Sequence, residues 1–186
     1  MKKKIIVAGA GHGGLVCAAL LAEKGYDVTV FEQNKPRDMG YDWTDTFMIN
    51  CFDAAGIPRP PKEKYHQSIP LSYTNPSKTV MLRMHKNSDP DNSVMERKYL
   101  INYLIKYAAK KGVKFCFSAE IISPITDRER VLGILIKKRG RMIPVFADLV
   151  IDSAGINSPV RSLLPARFGI LNDFEDEQIF TCYRAF

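Results

Sequence analysis

Residues 5–32 of this 186-residue chain read IIVAGAGHGGLVCAALLAEKGYDVTVFE, and this stretch decides the fold. The β-branched run at its start predicts a buried strand, and Gly9, Gly11 and Gly14 predict a tight turn that leads into a helix. Glycines at this spacing let the backbone approach a pyrophosphate, with the first amides of the helix facing it. The stretch therefore predicts a site for an adenine dinucleotide.

The rest of the same stretch supplies the expected neighbours of the glycine turn. Helix positions that share one face are small and apolar: Leu15, Ala18, Ala19 and Ala22. Gly25 is placed to end this helix, residues 27–31 predict a second strand, and Glu32 follows at the end of that strand. A carboxylate there accepts hydrogen bonds from ribose hydroxyls and repels the extra phosphate of NADP, so the pattern favours NAD or FAD.

Composition limits the class of protein. Hydrophobic residues make up 46% of the chain, enough for the core of an ordinary domain, and no apolar run approaches the roughly 18 residues of a membrane span. We therefore predict a cytoplasmic protein. The net charge of +7 comes from lysines and arginines spread along the chain, which argues against nucleic-acid binding. A weak attraction to an anionic membrane surface stays open.

The positions of the cysteines do not indicate a metal site or a redox site. Cys17, Cys51, Cys116 and Cys182 are scattered, with no CxxC pair and no histidines at ligand spacing. This arrangement is typical of buried thiols rather than of a zinc site or a redox dithiol, and we predict no metal.

Patterning beyond Glu32 predicts further elements. Residues 45–55 have a helical pattern that ends at Gly56, and the proline-rich residues 58–78 predict an excursion over the surface rather than core elements. An apolar stripe predicts a helix over 97–111, which is closed by Gly112, and a buried strand follows at 113–117.

Three short β-like runs at 121–125, 131–137 and 142–146 predict an antiparallel meander, and 149–152 predict a returning core strand. The predicted fold is α/β: a Rossmann-like FAD/NAD(P)-binding domain over residues 1–170, with a parallel central sheet, the meander and an inserted excursion at about 40–95. Residues 171–186, which include an alternating run at 179–186, predict the beginning of an incomplete substrate domain.

Four blocks together resemble the flavoprotein group that includes p-hydroxybenzoate hydroxylase and the geranylgeranyl reductases. They are the glycine turn with Glu32, the Met95-Glu96-Arg97 entry to a helix, the meander, and residues 152–161, DSAGINSPVR. The last block is similar to that group's A-D-G-x-x-S-x-V-R signature. The cluster YDWTD at residues 41–45 is similar to the geranylgeranyl reductase branch. The resemblance implies an FAD-dependent oxidoreductase of the reductase or aromatic-hydroxylase type.

The resemblance also implies FAD as the tightly held cofactor. The glycine turn and Glu32 would bind its adenosine and pyrophosphate, Arg97 would lie near the phosphates, and backbone around Ile121 would lie beside the adenine. His12, inside the turn, would position that turn rather than act as a base. The full set of expected cofactor-binding residues is Gly9, Gly11, His12, Gly13, Gly14, Glu32, Gln33, Arg97, Ile121, Ala154 and Gly155. The sequence predicts no particular catalytic side chain.

Two departures from the group's pattern leave alternatives open. Ala154 stands where the group has an aspartate associated with flavin and reduced nicotinamide, so NAD(P)H and an electron-donor protein such as a ferredoxin are both open as the source of electrons. The group's later flavin motif is missing, which predicts that the chain is the N-terminal part of a longer protein. The expected substrate is a small molecule or an isoprenoid lipid. The alternative function is an adenine-dinucleotide-binding module that is inactive alone or needs a partner chain.

Overall fold

The computed structural model describes residues 2–67, 72–83, 91–170 and Gln178. Its elements in chain order are β1 (Lys4–Ala8), α1 (His12–Glu23), β2 (Asp27–Glu32), β3 (Thr44–Met48), α2 (Cys51–Ala54), β4 (Tyr65–Gln67), β5 (Ser72–Thr74), β6 (Met81–Arg83), β7 (Asn92–Glu96), α3 (Arg97–Lys110), β8 (Lys114–Phe117), β9 (Glu120–Thr126), β10 (Val131–Lys138), β11 (Arg141–Phe146), β12 (Leu149–Asp152) and α4 (Pro159–Ser162). Cys182 and the strand expected at 179–186 lie outside the described residues, as does the start of the expected second domain apart from Gln178.

A four-stranded parallel sheet forms the centre of the fold, in the order β12-β1-β2-β8. Val7 of β1 pairs with Val30 of β2 on one side and with Ile151 of β12 on the other. Parallel neighbours require a crossover, and α1 provides it between β1 and β2, while α3 precedes β8 and packs beside α1. The structure confirms the predicted α/β fold and its parallel sheet.

Alternation along the central strand divides the core into two layers. Val7 is fully buried in a cluster that includes Leu15 of α1, and it faces the helices. Ile6 points to the opposite face, where it is buried with Ile134 of the meander. Successive side chains of a strand point to opposite faces, so a strand that is buried on both faces reads as a continuous apolar run. The result is a layer of helices, a parallel sheet and a layer of antiparallel strands.

The meander has the predicted arrangement, with β10 pairing antiparallel to both β9 and β11. The returning strand β12 differs from its prediction, because it lies at the edge of the parallel sheet and Leu149 is 48% exposed. A run of apolar residues did not distinguish an edge strand from a central one. Among the described helices, none has the length and apolar content needed to cross a bilayer.

A second antiparallel sheet, in the order β3-β7-β4, overturns the helix predicted for residues 45–55. Residues 44–48 form β3, which pairs with β7 so that Thr46 faces Val94, and helical structure begins only at Cys51. The pairing joins segments almost fifty residues apart, so local patterning did not reveal it.

The surface excursion expected at residues 58–78 is also partly wrong. Tyr65 of β4 is buried in the same core cluster as Met95 of β7, and the two residues are paired across the sheet. Within the predicted range, β5 is exposed throughout, as the prediction required. One short strand of the excursion therefore belongs to the core.

The turn after β1 packs directly against the turn after β12, and two glycines make this contact possible. Gly9 has a φ of +96°, and a Cβ atom there would lie 2.5 Å from the carbonyl oxygen of Ser153. A Cβ atom on Gly14 would lie 2.4 Å from the Gly9 carbonyl oxygen and 2.8 Å from the Ser153 hydroxyl. No side chain fits at either position without moving backbone.

Gly14→Ala and Gly13→Ala form a matched pair that tests this contact. We expect Gly14→Ala to lower the free energy of unfolding by about 2 kcal/mol, because the new methyl group overpacks the junction. Gly13 is also in the first turn of α1, but the nearest atom to a Cβ there is 4.0 Å away. Gly13→Ala should leave stability unchanged or raise it by up to about 1 kcal/mol through helix propensity. Urea unfolding followed by circular dichroism measures both, and equal effects would contradict the packing argument.

Candidate functional site

A cavity of about 510 Å³ lies at the carboxyl ends of the parallel strands. Its walls come from the turns that follow β1, β2 and β12, and from the residues around the start of β9. Ligands of open parallel sheets bind at this edge, where the strands end and loops can diverge. Seven of the expected cofactor-binding residues line the cavity: Gly9, Gly11, Glu32, Gln33, Ile121, Ala154 and Gly155.

Gly11 offers an open surface to this cavity. It precedes the first residue of α1 and has a φ of −75°, and its carbonyl oxygen accepts a hydrogen bond from the amide of Leu15. A Cβ atom there would have only the Ser153 carbonyl oxygen nearby, at 3.9 Å. The space beside Gly11 is therefore available to a ligand, in contrast to the filled space at Gly9 and Gly14. Gly13 and Gly14 lie within the first turn of α1.

The carboxylate of Glu32 is buried and holds the neighbouring turns in place. Its Oε2 accepts a hydrogen bond from the Ala10 amide at 2.9 Å, and its Oε1 accepts from the amide and the side-chain nitrogen of Asn34 at 2.9 and 2.8 Å. A carboxylate has about four acceptor positions, so the described residues leave one for a ligand hydroxyl, on Oε2. Asn34 is a site residue that the sequence patterns did not predict.

A hydrogen-bond network shapes the turn after β12. Asp152 Oδ1 accepts from the Ala154 amide at 3.0 Å and from the Ser158 hydroxyl at 2.7 Å. The fully buried Ser158 oxygen in turn accepts from the Val160 amide at 3.2 Å and caps α4. Serine followed by proline is a common helix start, and this signal would have identified Ser158. Asp152 therefore organises its own turn.

His12 and Arg97 do not line this cavity. They meet at Asp45, where His12 Nε2 and Arg97 Nε each lie 3.2 Å from Asp45 Oδ2. Arg97 also stacks on the ring of Tyr41, with 4.3 Å from its guanidinium carbon to the ring centroid, and it donates to the Tyr41 hydroxyl. The placement of Arg97 beside phosphates stays a prediction. Asp45 belongs to the cluster at residues 41–45 that the sequence singled out, but its contacts with His12 and Arg97 were not predicted, because residues 45–55 had a helical pattern.

Burial is the largest influence on the pKa of His12, and it lowers that pKa below the ordinary value of 6.5. The neighbouring Asp45 carboxylate acts in the opposite direction, whereas the Arg97 charge adds to the lowering. We infer that His12 is neutral at pH 7, so the cluster holds one negative and one positive charge.

The described cysteines lie in separate elements. Cys17 and Cys116 are half-buried, and Cys51 is exposed, so the prediction of buried thiols is wrong at Cys51. Burial raises the pKa of the Cys17 thiol, which reduces its reactivity at neutral pH.

The comparisons with known proteins agree with one another. A family model described as FAD binding domain matches residues 2–177. Digeranylgeranylglycerophospholipid reductase from Methanothrix thermoacetophila is 25% identical over 162 residues, which cover 86% of this chain and 41% of that protein. This chain spans about two fifths of the length of the curated relatives it matches.

Solved structures show the same fold. A geranylgeranyl bacteriochlorophyll reductase-like protein from Thermoplasma acidophilum matches with a TM-score of 0.71 and 20% identity, over 87% of this chain and 41% of the other. The tetrameric form of 2-methyl-3-hydroxypyridine-5-carboxylic acid oxygenase matches with a TM-score of 0.67 and 22% identity, over 87% of this chain and 42% of the other.

The substitution Gly11→Val tests whether the space beside Gly11 serves ligand binding rather than folding. The substitution should abolish binding of FAD and of ADP, because the added methyl groups occupy the open surface beside the turn. It should lower the free energy of unfolding by less than about 1 kcal/mol, since no protein atom blocks the position. Fluorescence titration and urea unfolding measure the two quantities, and retained affinity would refute the assignment.

The lowered pKa of His12 predicts a dependence of stability on pH. As the pH falls below 6.5, the unfolded chain takes up a proton at His12 before the folded protein does. The free energy of unfolding should therefore decrease through this range and level off below the folded-state pKa. Urea unfolding between pH 7.5 and 5 measures the slope. His12→Asn should flatten this slope, and an unchanged slope in the variant would overturn the prediction.

Proposed function

Because this chain belongs to the FAD binding domain family, we propose that it is the FAD-holding, N-terminal part of an FAD-dependent oxidoreductase. The prediction of FAD as cofactor is confirmed by the family match. The observation that carries the proposal is the 510 Å³ cavity, in which the open Gly11 surface and the buried Glu32 carboxylate lie on neighbouring turns. This combination fits the phosphate and the ribose of one adenine dinucleotide.

The residues of the cavity divide naturally among the parts of the cofactor. The remaining acceptor position on Glu32 Oε2 would take a ribose hydroxyl, and the surface at Gly11 would take the pyrophosphate at the start of α1. Ala119 and Ile121 give the apolar wall that an adenine needs, beside Gln33. Ala154 and Gly155 would contribute backbone on the opposite wall.

When bound, FAD supplies hydride or oxygen chemistry that does not need a dedicated protein nucleophile. The described residues would bind and orient the adenosine end of the cofactor. The site leaves both electron sources open, since Ala154 has no carboxylate and Asp152 Oδ1 is engaged within its own turn. NAD(P)H and an electron-donor protein are therefore alternative donors.

An isoprenoid lipid is the substrate class we propose, from the similarity to digeranylgeranylglycerophospholipid reductases. A peripheral contact with an anionic membrane would suit such a substrate. The end of β10, the turn that follows and the start of β11 carry Lys137, Arg139 and Arg141, followed by the half-exposed Met142. Basic and apolar groups at one exposed turn are suited to a lipid surface. A cytoplasmic location stays a prediction.

Titration with FAD, NAD and NADP tests the proposed function. We expect the purified protein to bind FAD and to retain it through gel filtration, with the visible spectrum of a flavin. NADP should bind at least tenfold more weakly than NAD, because the Glu32 carboxylate repels the additional phosphate. Folded protein that binds neither FAD nor ADP would overturn the proposal.

A further inference from the structure

The hairpin formed by β5 and β6 presents large apolar side chains to solvent. Every residue of its two strands is exposed. The exposed fraction is 62% for Tyr73, 55% for Val80 and 67% for Leu82. Single apolar residues on a surface need no explanation, but a group of large ones on one short element marks a contact surface. The hairpin is therefore a candidate contact surface.

The three side chains share one face of the hairpin. Tyr73 pairs directly with Leu82 across the two strands, so these side chains are neighbours. Val80 is two residues before Leu82, and the alternation of a strand places it on the same face. The other face is more polar and carries the pairs Ser72–Arg83 and Thr74–Met81. The hairpin is therefore amphipathic.

Hydrogen bonds within the turn hold the hairpin together. The side-chain nitrogen of Asn75 donates to the Thr79 hydroxyl at 2.8 Å, and its Oδ1 accepts from the Val80 amide at 3.1 Å. The Thr74 hydroxyl donates to the Val80 carbonyl oxygen at 2.9 Å. A two-stranded hairpin is only marginally stable in water, so these local bonds matter. The apolar side chains, being exposed, contribute little to this stability and are available for contact.

The charge of the hairpin restricts what its apolar face can contact. Residues 72–83 contain two cations, Lys78 in the turn and Arg83 at the end of β6, and no acidic residue. Such a surface complements an anionic lipid surface, because the cations attract the headgroups while the apolar side chains enter the boundary with the acyl chains. Tyr73 is suited to that boundary, since its ring is apolar and its hydroxyl is polar.

We propose that the β5–β6 hairpin binds an anionic lipid surface and inserts Tyr73, Val80 and Leu82 into it. The inference deepens the proposed function and rests on it, because an isoprenoid-lipid substrate is held in such a surface. The contact brings the cofactor-holding domain to the lipid that contains its substrate. Lys78 acts through attraction to anionic headgroups, so its contribution falls as salt is added, whereas the apolar contribution does not.

Sedimentation with lipid vesicles tests the inference on the 186-residue chain. The vesicles consist of phosphatidylcholine, either alone or mixed with phosphatidylglycerol. Tyr73→Ser and Leu82→Ser should each weaken binding to the mixed vesicles about tenfold, because each withdraws one large apolar side chain from the lipid. Lys78→Gln should weaken binding to the mixed vesicles about fivefold and leave the weaker binding to phosphatidylcholine alone unchanged.

Leu163→Ser is the matched control. Leu163 follows α4 and is 57% exposed, so the substitution removes a similar apolar side chain from a surface outside the hairpin. Its vesicle binding should equal that of wild type. Unchanged far-ultraviolet circular dichroism and melting temperature show that each variant is folded, as the exposure of all these positions leads us to expect.

Four outcomes would overturn the inference. They are wild-type protein that does not sediment with the mixed vesicles, an equal loss of binding in Leu163→Ser, and a loss in Met142→Ser with retained binding in the hairpin variants, which would move the contact to the turn between β10 and β11. The fourth is self-association without vesicles that Leu82→Ser abolishes, which would make the face a contact between two copies. Failure of the proposed function is read separately, from folded protein that does not bind FAD.

Discussion

The structure of the site depends on the close contact between the turn after β1 and the turn after β12. The carbonyl oxygen of Ser153 lies only 2.5 Å from the position that a Cβ atom of Gly9 would take, and the Gly9 carbonyl oxygen lies only 2.4 Å from the position that a Cβ atom of Gly14 would take. This contact sets the distance between α1 and the sheet edge. It also brings the turn after β12 to the wall of the first cavity, so the shape of the site depends on it.

The buried polar groups around this contact are of two kinds. Glu32, Asp152 and Ser158 find partners in neighbouring turns, and their hydrogen bonds fix those turns without a ligand. His12 and Asp45 instead belong to an ion-paired cluster with Arg97, in which His12 Nε2 and Arg97 Nε each lie 3.2 Å from Asp45 Oδ2. The first group therefore preorganises the turns of the proposed adenosine site, because its hydrogen bonds form without a ligand.

The layered core explains how one short strand positions so much of the site. β1 contributes Val7 to the helix layer and Ile6 to the meander layer, so displacement of β1 would disturb both. Its carboxyl end continues directly into Gly9. The same strand thus anchors the core and leads into the turn proposed to bind the cofactor, which gives the glycine turn a rigid support.

Local sequence patterns were enough to predict the central unit, which consists of β1, the glycine turn, α1, β2 and Glu32, because each of these features depends on neighbours in the chain. The meander and α3 were predictable for the same reason. Tertiary structure alone decided that residues 44–48 form a strand, that Tyr65 is buried, and that Asp45 meets His12 and Arg97. These features depend on pairing between segments up to about fifty residues apart, and a local pattern carries no information about a distant partner.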